Sequence, residues 1–182
     1  IEIMANNCYN FIQIEGSKKE IKAFLKLLKK DESKGQNSGY DIYQNLIHDF
    51  GKFGNDARWF DIDVQELNET EISIAGDSAW CPCLEIFTAI SEKYQSFIIR
   101  YEYDEMGCDF AGFAEISQGN CNDNCFSYWE GIIASQGESD AMEMVINNEL
   151  DCYETKEELI ESDMYNAFSK ENQKEILENY NV

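Results

Sequence analysis

The sequence predicts an α+β fold, on the basis of three observations. Several segments alternate in polarity as strands do, two segments have the spacing of amphipathic helices, and these elements follow one another in a recognisable order. The 182 residues suffice for one domain with an appendage, and a hydrophobic fraction of 43% is enough to fill a core. The order over the first two-thirds of the chain is β-α-β-β-α-β with an extra strand or hairpin, which is the split-βαβ order of ferredoxin-like folds.

The first β-α unit has the clearest signals. Residues 8–15 alternate as a strand and end at Gly16. Ser17 and Glu20 form a capping box, in which the hydroxyl and the carboxylate satisfy each other's exposed amides at the start of a helix. Apolar residues then recur at helical spacing, with lysines along the polar side. A long polar connection is expected over 31–56, with a short helix near 43–50.

A hairpin and a second helical unit follow. The strands of the hairpin are joined by a short turn at residues 68–69. Pro82 suits the first turn of a helix, where its missing amide costs nothing. The predicted elements are strands at 58–67 and 71–75, a helix at 84–94, and strands at 97–104 and 108–116.

The last third of the chain differs from the rest. Residues 119–182 carry fifteen acidic and three basic residues. We expect one strand at 126–129, a helix with the apolar stripe of residues 142–150, a capping box at Thr155 and Glu158, and a last helix capped by Ser169. The chain is thus divided into a ferredoxin-like part, 4–118, and an acidic, mostly helical extension, 119–182, that packs on the first part.

Three stretches resemble one family. Residues 4–8 (MANNC), 77–82 (DSAWCP) and 101–113 are similar to the start, the second-helix turn and the aromatic hairpin of YubB-type proteins of phages and plasmids. Asn7 departs from the aromatic that is usual there. The resemblance implies a ferredoxin-like fold, carriage on a mobile element and no known reaction, and it does not imply an iron–sulfur cluster. The residues that carry it are Asn6, Cys8, Trp80, Pro82, Tyr101, Gly107 and Gly112.

Charge restricts the partners. The net charge of −22 repels nucleic-acid phosphates and anionic membranes, because such binding depends on lysine and arginine. A basic protein is the favoured partner, although solubility alone also explains an acidic surface. The sequence has no apparent signal peptide or membrane segment, so we expect a cytoplasmic protein whose seven thiols stay reduced.

Two kinds of side chain are candidate metal ligands. Zinc sites usually have two cysteine pairs with two-residue gaps, whereas the gaps here are one and three. The weak candidates are Cys81, Cys83, Cys108, Cys121 and Cys125. Asp61 with Asp63, and Glu102 with Asp104, each share one strand face and offer oxygen ligands to a divalent cation. Packed thiols and solvated carboxylates are the ordinary explanations.

No residue is assigned a catalytic or cofactor-binding role. His48 is the only histidine, so no serine or cysteine nucleophile can be paired with a histidine base from the sequence. Phosphate-binding and dinucleotide-binding signatures are absent from the sequence. The strand aromatics Tyr101, Tyr103, Phe110 and Phe113 were considered as a platform for single-stranded RNA. No basic groove accompanies them, and strand aromatics are more often core residues, so RNA binding is rejected.

Three functions remain. The first is an accessory protein of a mobile element that binds a protein partner through its acidic surface, in its sharper form as a nucleic-acid mimic acting on a host defence or DNA-processing enzyme. The second is a structural homo-oligomer that pairs sheet edges. The third is a metal-binding or enzymatic domain.

Overall fold

The structure is a computed structural model that describes residues 6–28, 39–51 and 60–180. The strands are β1 (Asn7–Glu15), β2 (Phe60–Asn68), β3 (Glu71–Ala79), β4 (Ile98–Glu105), β5 (Phe110–Ser117) and β6 (Asn120–Phe126). The helices are α1 (Lys18–Leu28), α2 (Gly39–Phe50), α3 (Leu84–Lys93), α4 (Tyr128–Gln136), α5 (Glu138–Met144), α6 (Lys156–Glu161), α7 (Asp163–Ala167) and α8 (Lys170–Asn179).

All six strands form one antiparallel sheet in the order β2-β3-β1-β4-β5-β6. The central strand β1 pairs with β3 on one side and with β4 on the other, so that Tyr9 lies between Asp77 and Asp104. The first four strands have the ferredoxin-like order. The predicted α+β, split-βαβ fold is therefore confirmed, with β5 and β6 added beside β4.

The first hydrophobic core lies between the sheet and α1, α2 and α3. The alternate residues Cys8, Ile12 and Ile14 of β1 are fully buried there. Phe24 of α1 makes edge-on ring contacts with Tyr94 and with Phe97, both at centroid distances near 5.5 Å. This face of the sheet is therefore closed by helices.

A second cluster joins the helices after β6 to the sheet. α4 lies across β4, β5 and β6, and Gly131 of α4 meets Ala111 of β5 so closely that a Cβ at residue 131 would lie 2.6 Å from the Ala111 Cβ. Tyr128 and Ile132 of the same helix are buried with Ala111. The helical C-terminal part thus packs against the face opposite α1–α3, at the end of the sheet that holds β5.

The helix starts were largely predicted. Ser17, Thr155 and Ser169 each accept a backbone hydrogen bond from the residue three positions on. Neither predicted capping box is reciprocal. The Glu20 carboxylate accepts from the backbone and hydroxyl of Ser96 rather than from Ser17, and the Glu158 carboxylate accepts from the backbone of Glu154 rather than from that of Thr155. Glu20 therefore ties α1 to the start of β4.

Three predictions after residue 118 were wrong. The strand expected at 126–129 ends at Phe126, and α4 begins at Tyr128. The residues before Phe126, where no strand is expected, form most of β6. The helix expected through residue 150 leaves α-helical geometry at Val145 for a π-helical turn, Val145–Glu149.

Some predictions concern residues outside the described ranges. These are the motif residues 4–5, the strand start at 58–59, and the parts of the long connection at 31–38 and 52–56. The helix predicted near 43–50 is present as α2, which begins earlier, at Gly39. Within the described ranges, the helices are too short or too polar to cross a membrane.

Candidate functional site

A buried polar network joins the three central strands. Asn10 is fully buried, and its amide nitrogen donates to Cys8 O at 2.7 Å and to Ser78 Oγ at 2.8 Å. Its amide oxygen accepts from the Tyr101 hydroxyl at 2.8 Å, and that hydroxyl accepts from Cys83 N at 3.0 Å. A buried amide is tolerated when its hydrogen bonds are made. The network fixes the start of α3 against β1 and β4.

Most of the residues that carry the family resemblance hold neighbouring segments of the chain together. Trp80 N donates to Asn6 O at 3.0 Å, and the Asn6 side chain lies against Gly107 and Cys108 in the β4–β5 turn. Cys8 is fully buried, and burial raises the pKa of its thiol. Tyr101 belongs to the buried network.

Two further motif residues have local roles. Pro82 precedes Cys83, the N-cap of α3, so it lies just before the helix and not in its first turn as predicted, whereas the predicted helix start at Leu84 is confirmed. A Cβ at Gly112 would lie 2.5 Å from the hydroxyl of Tyr103, so the glycine leaves room for that ring. The Tyr103 hydroxyl donates to Asp123 Oδ1 at 2.7 Å, and burial and this bond raise the pKa of Tyr103.

The cysteines are not gathered into a site. Among the described residues, no three histidine, cysteine or acidic side chains are arranged to hold a metal ion. Cys81 and Cys83 lie before α3, Cys108 lies in the β4–β5 turn, and Cys121 and Cys125 lie on β6. No disulfide links any of the seven cysteines in the part of the chain that the structure describes.

The sheet face opposite α1–α3 carries a group of carboxylates. Residues directly opposite one another in antiparallel strands point to the same face. The register therefore places Asp61, Asp77, Tyr9 and Asp104 in one row across four strands. The next row is Asp63, Ala75, Phe11 and Glu102. We call the five carboxylates of these rows, Asp61, Asp63, Asp77, Glu102 and Asp104, the acidic sheet patch.

The charges of this patch are not balanced within its own rows, which contain no lysine or arginine from the described strands. Arg100 lies one row further along, where its guanidinium pairs with the Glu15 carboxylate at 2.6 Å. Partial burial, then the neighbouring charges of Glu105 and Asp77, raise the pKa of Asp104. Crowded like charges of this kind favour the approach of a cation.

Exposed aromatic rings accompany the patch. Tyr9 is 47% exposed between Asp77 and Asp104, and Trp80, which directly follows β3, is 41% exposed. The Trp80 backbone is left-handed, with φ of 66°, which is uncommon for a bulky residue and often marks a functional position. Tyrosine and tryptophan are the residue types most enriched at the energetic centres of protein interfaces.

The sequence pointed to parts of this site. The sequence pattern predicts that Asp61 and Asp63 share one strand face and that Glu102 and Asp104 share another, and the structure brings the two pairs to one surface. Asp77 and Tyr9 were missed, because only the strand order that puts β1 between β3 and β4 places them there. The RNA-platform candidates Tyr101 and Tyr103 point to the other face and are buried.

Comparison with known proteins gives the family. Residues 56–146, half of the chain, match the family model described as the ferredoxin-like domain in Api92-like protein (DUF1281). The chain belongs to the Api92-like family. The match is to a domain of unknown function, and it includes the strands β2–β6 together with α3, α4 and α5. The Api92-like segment therefore contains all five patch carboxylates and runs past residue 118.

A solved structure is also similar. It is the crystal structure of a protein Api92 from Yersinia pseudotuberculosis, with 21% sequence identity and a TM-score of 0.34. The alignment covers 52% of this chain and 31% of that chain, so this chain spans about a third of its relative's length. A likeness at this level carries no functional argument. No curated protein matches the chain.

Proposed function

We propose that this Api92-like chain is a protein-binding module whose acidic sheet patch takes a basic surface of its partner. The single observation that carries the proposal is the position of five carboxylates on one sheet face, three of them exposed, without a balancing lysine or arginine from the described strands in their rows. Electrostatic complementarity speeds the encounter with a basic partner and selects against acidic ones.

The location of the patch supports a protein partner. Its carboxylates project from neighbouring strands, and three of them, Asp61, Asp63 and Glu102, are exposed. Among the described elements, α4 lies over β4, β5 and β6, and no helix is packed on this face of β2 and β3. Exposed tyrosine and tryptophan next to charged groups supply the apolar contact area that charge pairing alone lacks.

The finer form of the proposal concerns the kind of partner. Basic clefts that hold nucleic-acid phosphates are the surfaces best complemented by closely spaced carboxylates, so the partner is a nuclease or another DNA-processing or host-defence enzyme. The resemblance to YubB-type proteins adds carriage on a phage or plasmid. Cysteines without disulfides suit a reducing compartment, which supports an encounter in the cytoplasm.

The test is capture of partners by the tagged protein in its native host at low and at high salt, with identification by mass spectrometry. We expect a basic, nucleic-acid-binding enzyme that is lost at high salt. The variant Asp61→Asn/Asp63→Asn/Asp77→Asn should lose it, and Tyr9→Ala should weaken binding by on the order of 2 kcal/mol.

The matched control removes three exposed carboxylates of the C-terminal helices, as Glu157→Gln/Glu161→Gln/Glu171→Gln. It changes the net charge by the same amount and should leave capture unchanged. Equal loss in both triple variants would mean that total charge, rather than the patch, attracts the partner. Recovery of the bait alone would remove the proposal.

A further inference from the structure

The strand β6 forms one edge of the sheet. Its register with β5 is unbroken from Phe126, opposite Ala111, to Asn120, opposite Ser117. Six of its seven side chains are exposed and the seventh is half-buried. Among the described strands, none pairs with its outer side. A regular edge strand presents backbone N–H and C=O groups to which a further strand can be added.

The two edges of the sheet are built differently. The edge strand β2 carries Asp61, Asp63 and Glu66, and its register with β3 shifts between Glu66 and Asn68. Charged side chains and bulges are the usual devices that prevent another strand from pairing with an edge. In β6 the only charged residue is Asp123, and proline, lysine and a register shift are absent. The edge at β2 is thus protected and the edge at β6 is open.

The sequence of β6 is self-complementary. Residues 121–125 read Cys-Asn-Asp-Asn-Cys in either direction. A twofold axis through Asp123 would set an antiparallel copy so that Cys121 faces Cys125 of the second copy, and Asn122 faces Asn124 of the second copy. Such an interface uses the same strand from both chains, which is the arrangement of most homodimers.

We propose that β6 is a dimerisation strand, which pairs antiparallel with β6 of a second copy about Asp123 and joins two six-stranded sheets into one. This inference goes beyond the proposed function, because it concerns the edge of the sheet farthest from β2. Asn side chains facing each other exchange hydrogen bonds, and the backbone ladder continues across the interface.

Two features limit the affinity. In the proposed pairing Asp123 of one chain faces Asp123 of the second copy, so two negative charges lie opposite each other. Each chain also carries a net charge of −22, so the two chains repel each other. A pair of seven-residue strands also buries less than the roughly 1,200–2,000 Å² of a stable interface. The dimer is therefore weak, and salt strengthens it by screening the repulsion. Binding of a basic partner has the opposite salt dependence.

The native cysteines report the register directly. Opposite residues of an antiparallel pair have Cα atoms about 4.5–5.5 Å apart, within the range that a disulfide spans. With Cys108→Ser and Cys152→Ser in every sample, as these are the other exposed cysteines, Cys121→Ser and Cys125→Ser are prepared as separate variants. Copper phenanthroline and oxygen serve as the oxidant that takes two electrons and two protons from each thiol pair.

The expected result is a covalent dimer from an equal mixture of the Cys121→Ser and Cys125→Ser variants, several-fold above the yield from either variant alone. Only the mixture places Cys125 of one chain opposite Cys121 of another. Equal yields from the mixture and from the single variants would overturn the proposed register. The absence of covalent dimer in protein that keeps both thiols would overturn the dimer.

Sedimentation equilibrium provides a test that does not depend on the thiols. We expect a monomer–dimer equilibrium that tightens as salt is raised, and that tightens about two- to fivefold in Asp123→Asn. Asn122→Lys/Asn124→Lys should weaken it roughly tenfold, because lysines then face each other. Ser139→Lys/Asn147→Lys, at exposed helical positions, is the control with the same charge change. A monomer at all concentrations and salts would refute the proposal.

Discussion

Asn10 shows how a single polar residue organises this sheet. In the sequence it is one polar position within an alternating strand, with nothing to distinguish it from a solvent-facing residue. In the structure it is fully buried and bonded to β1, β3 and β4. Its role follows from the strands on either side of β1, which local pattern does not reveal. Removal of the Asn10 amide would take away the buried oxygen to which the Tyr101 hydroxyl donates.

Asp104 should make the stability depend on pH. Its pKa is raised above the ordinary value of 3.8 by burial and by neighbouring carboxylates, so the folded protein keeps this proton at pH values where the unfolded chain has released it. The stabilisation by the proton is present at low pH and is lost as the pH rises through the folded-state pKa. At neutral pH the charged carboxylate therefore destabilises the fold.

We expect Asp104→Asn to raise the free energy of unfolding at pH 7 and to change it less near pH 4. Urea denaturation of the variant and of the native protein at both pH values measures this. Glu161→Gln, which removes an exposed carboxylate from α6, is the control for the loss of one charge. A variant that is less stable at pH 7 would contradict the raised pKa.

At the scale of elements, the contact between α4 and β5 depends on a glycine. A Cβ at Gly131 would lie 2.6 Å from both the Cβ and the carbonyl oxygen of Ala111, and a backbone atom cannot give way cheaply. Alanine normally stabilises a helix interior relative to glycine by about 0.5–1 kcal/mol. Here we expect Gly131→Ala to destabilise by about 1–3 kcal/mol.

Thermal unfolding of Gly131→Ala measures this effect, and Gln136→Ala, at an exposed position of the same helix, is the control. A raised melting temperature in Gly131→Ala would mean that α4 moves away from the sheet without cost.

Elements with strong local signals were predicted, and those without them were not. The order of β1–β5 with α1 and α3 followed from alternation, capping residues and proline. β6 was missed because its asparagine, aspartate and cysteine side chains have low strand propensity and both of its faces are exposed, so no alternation marks it. α4 was missed because its aromatic and β-branched residues resemble a strand. In both cases tertiary pairing overrides local preference.

At the scale of the whole molecule, the two hydrophobic clusters share no buried residue. The first contains the strands β1–β5 and the helices α1–α3, and the second contains the helices from α4 onward with Ala111 of β5. We expect a fragment ending at residue 126 to fold cooperatively, with reduced stability, because its own core is complete. Residues 127–182 alone should not fold, since their helices lose the sheet surface they cover.

Circular dichroism melting curves and amide NMR spectra of the two fragments test this division. A fragment 1–126 without dispersed amide signals would show that the two clusters form one cooperative unit. A helical, cooperatively melting fragment 127–182 would show that the C-terminal helices are an independent domain.

The pairing of β1 also sets the order of events during synthesis. Its partners are residues 71–79 on one side and residues 98–105 on the other. A ribosome that adds about 5–20 residues per second needs roughly 5–20 s to go from β1 to the end of β4. Until residues 71–79 have been made, Ile12 and Ile14 have no strand to pair with, although α1 can already form beside them. The other side of β1 stays unpaired until β4 has been made. β1 is therefore made first but is paired on both sides only after most of the domain has been synthesised. During that interval it is accessible to chaperones that bind nascent chains.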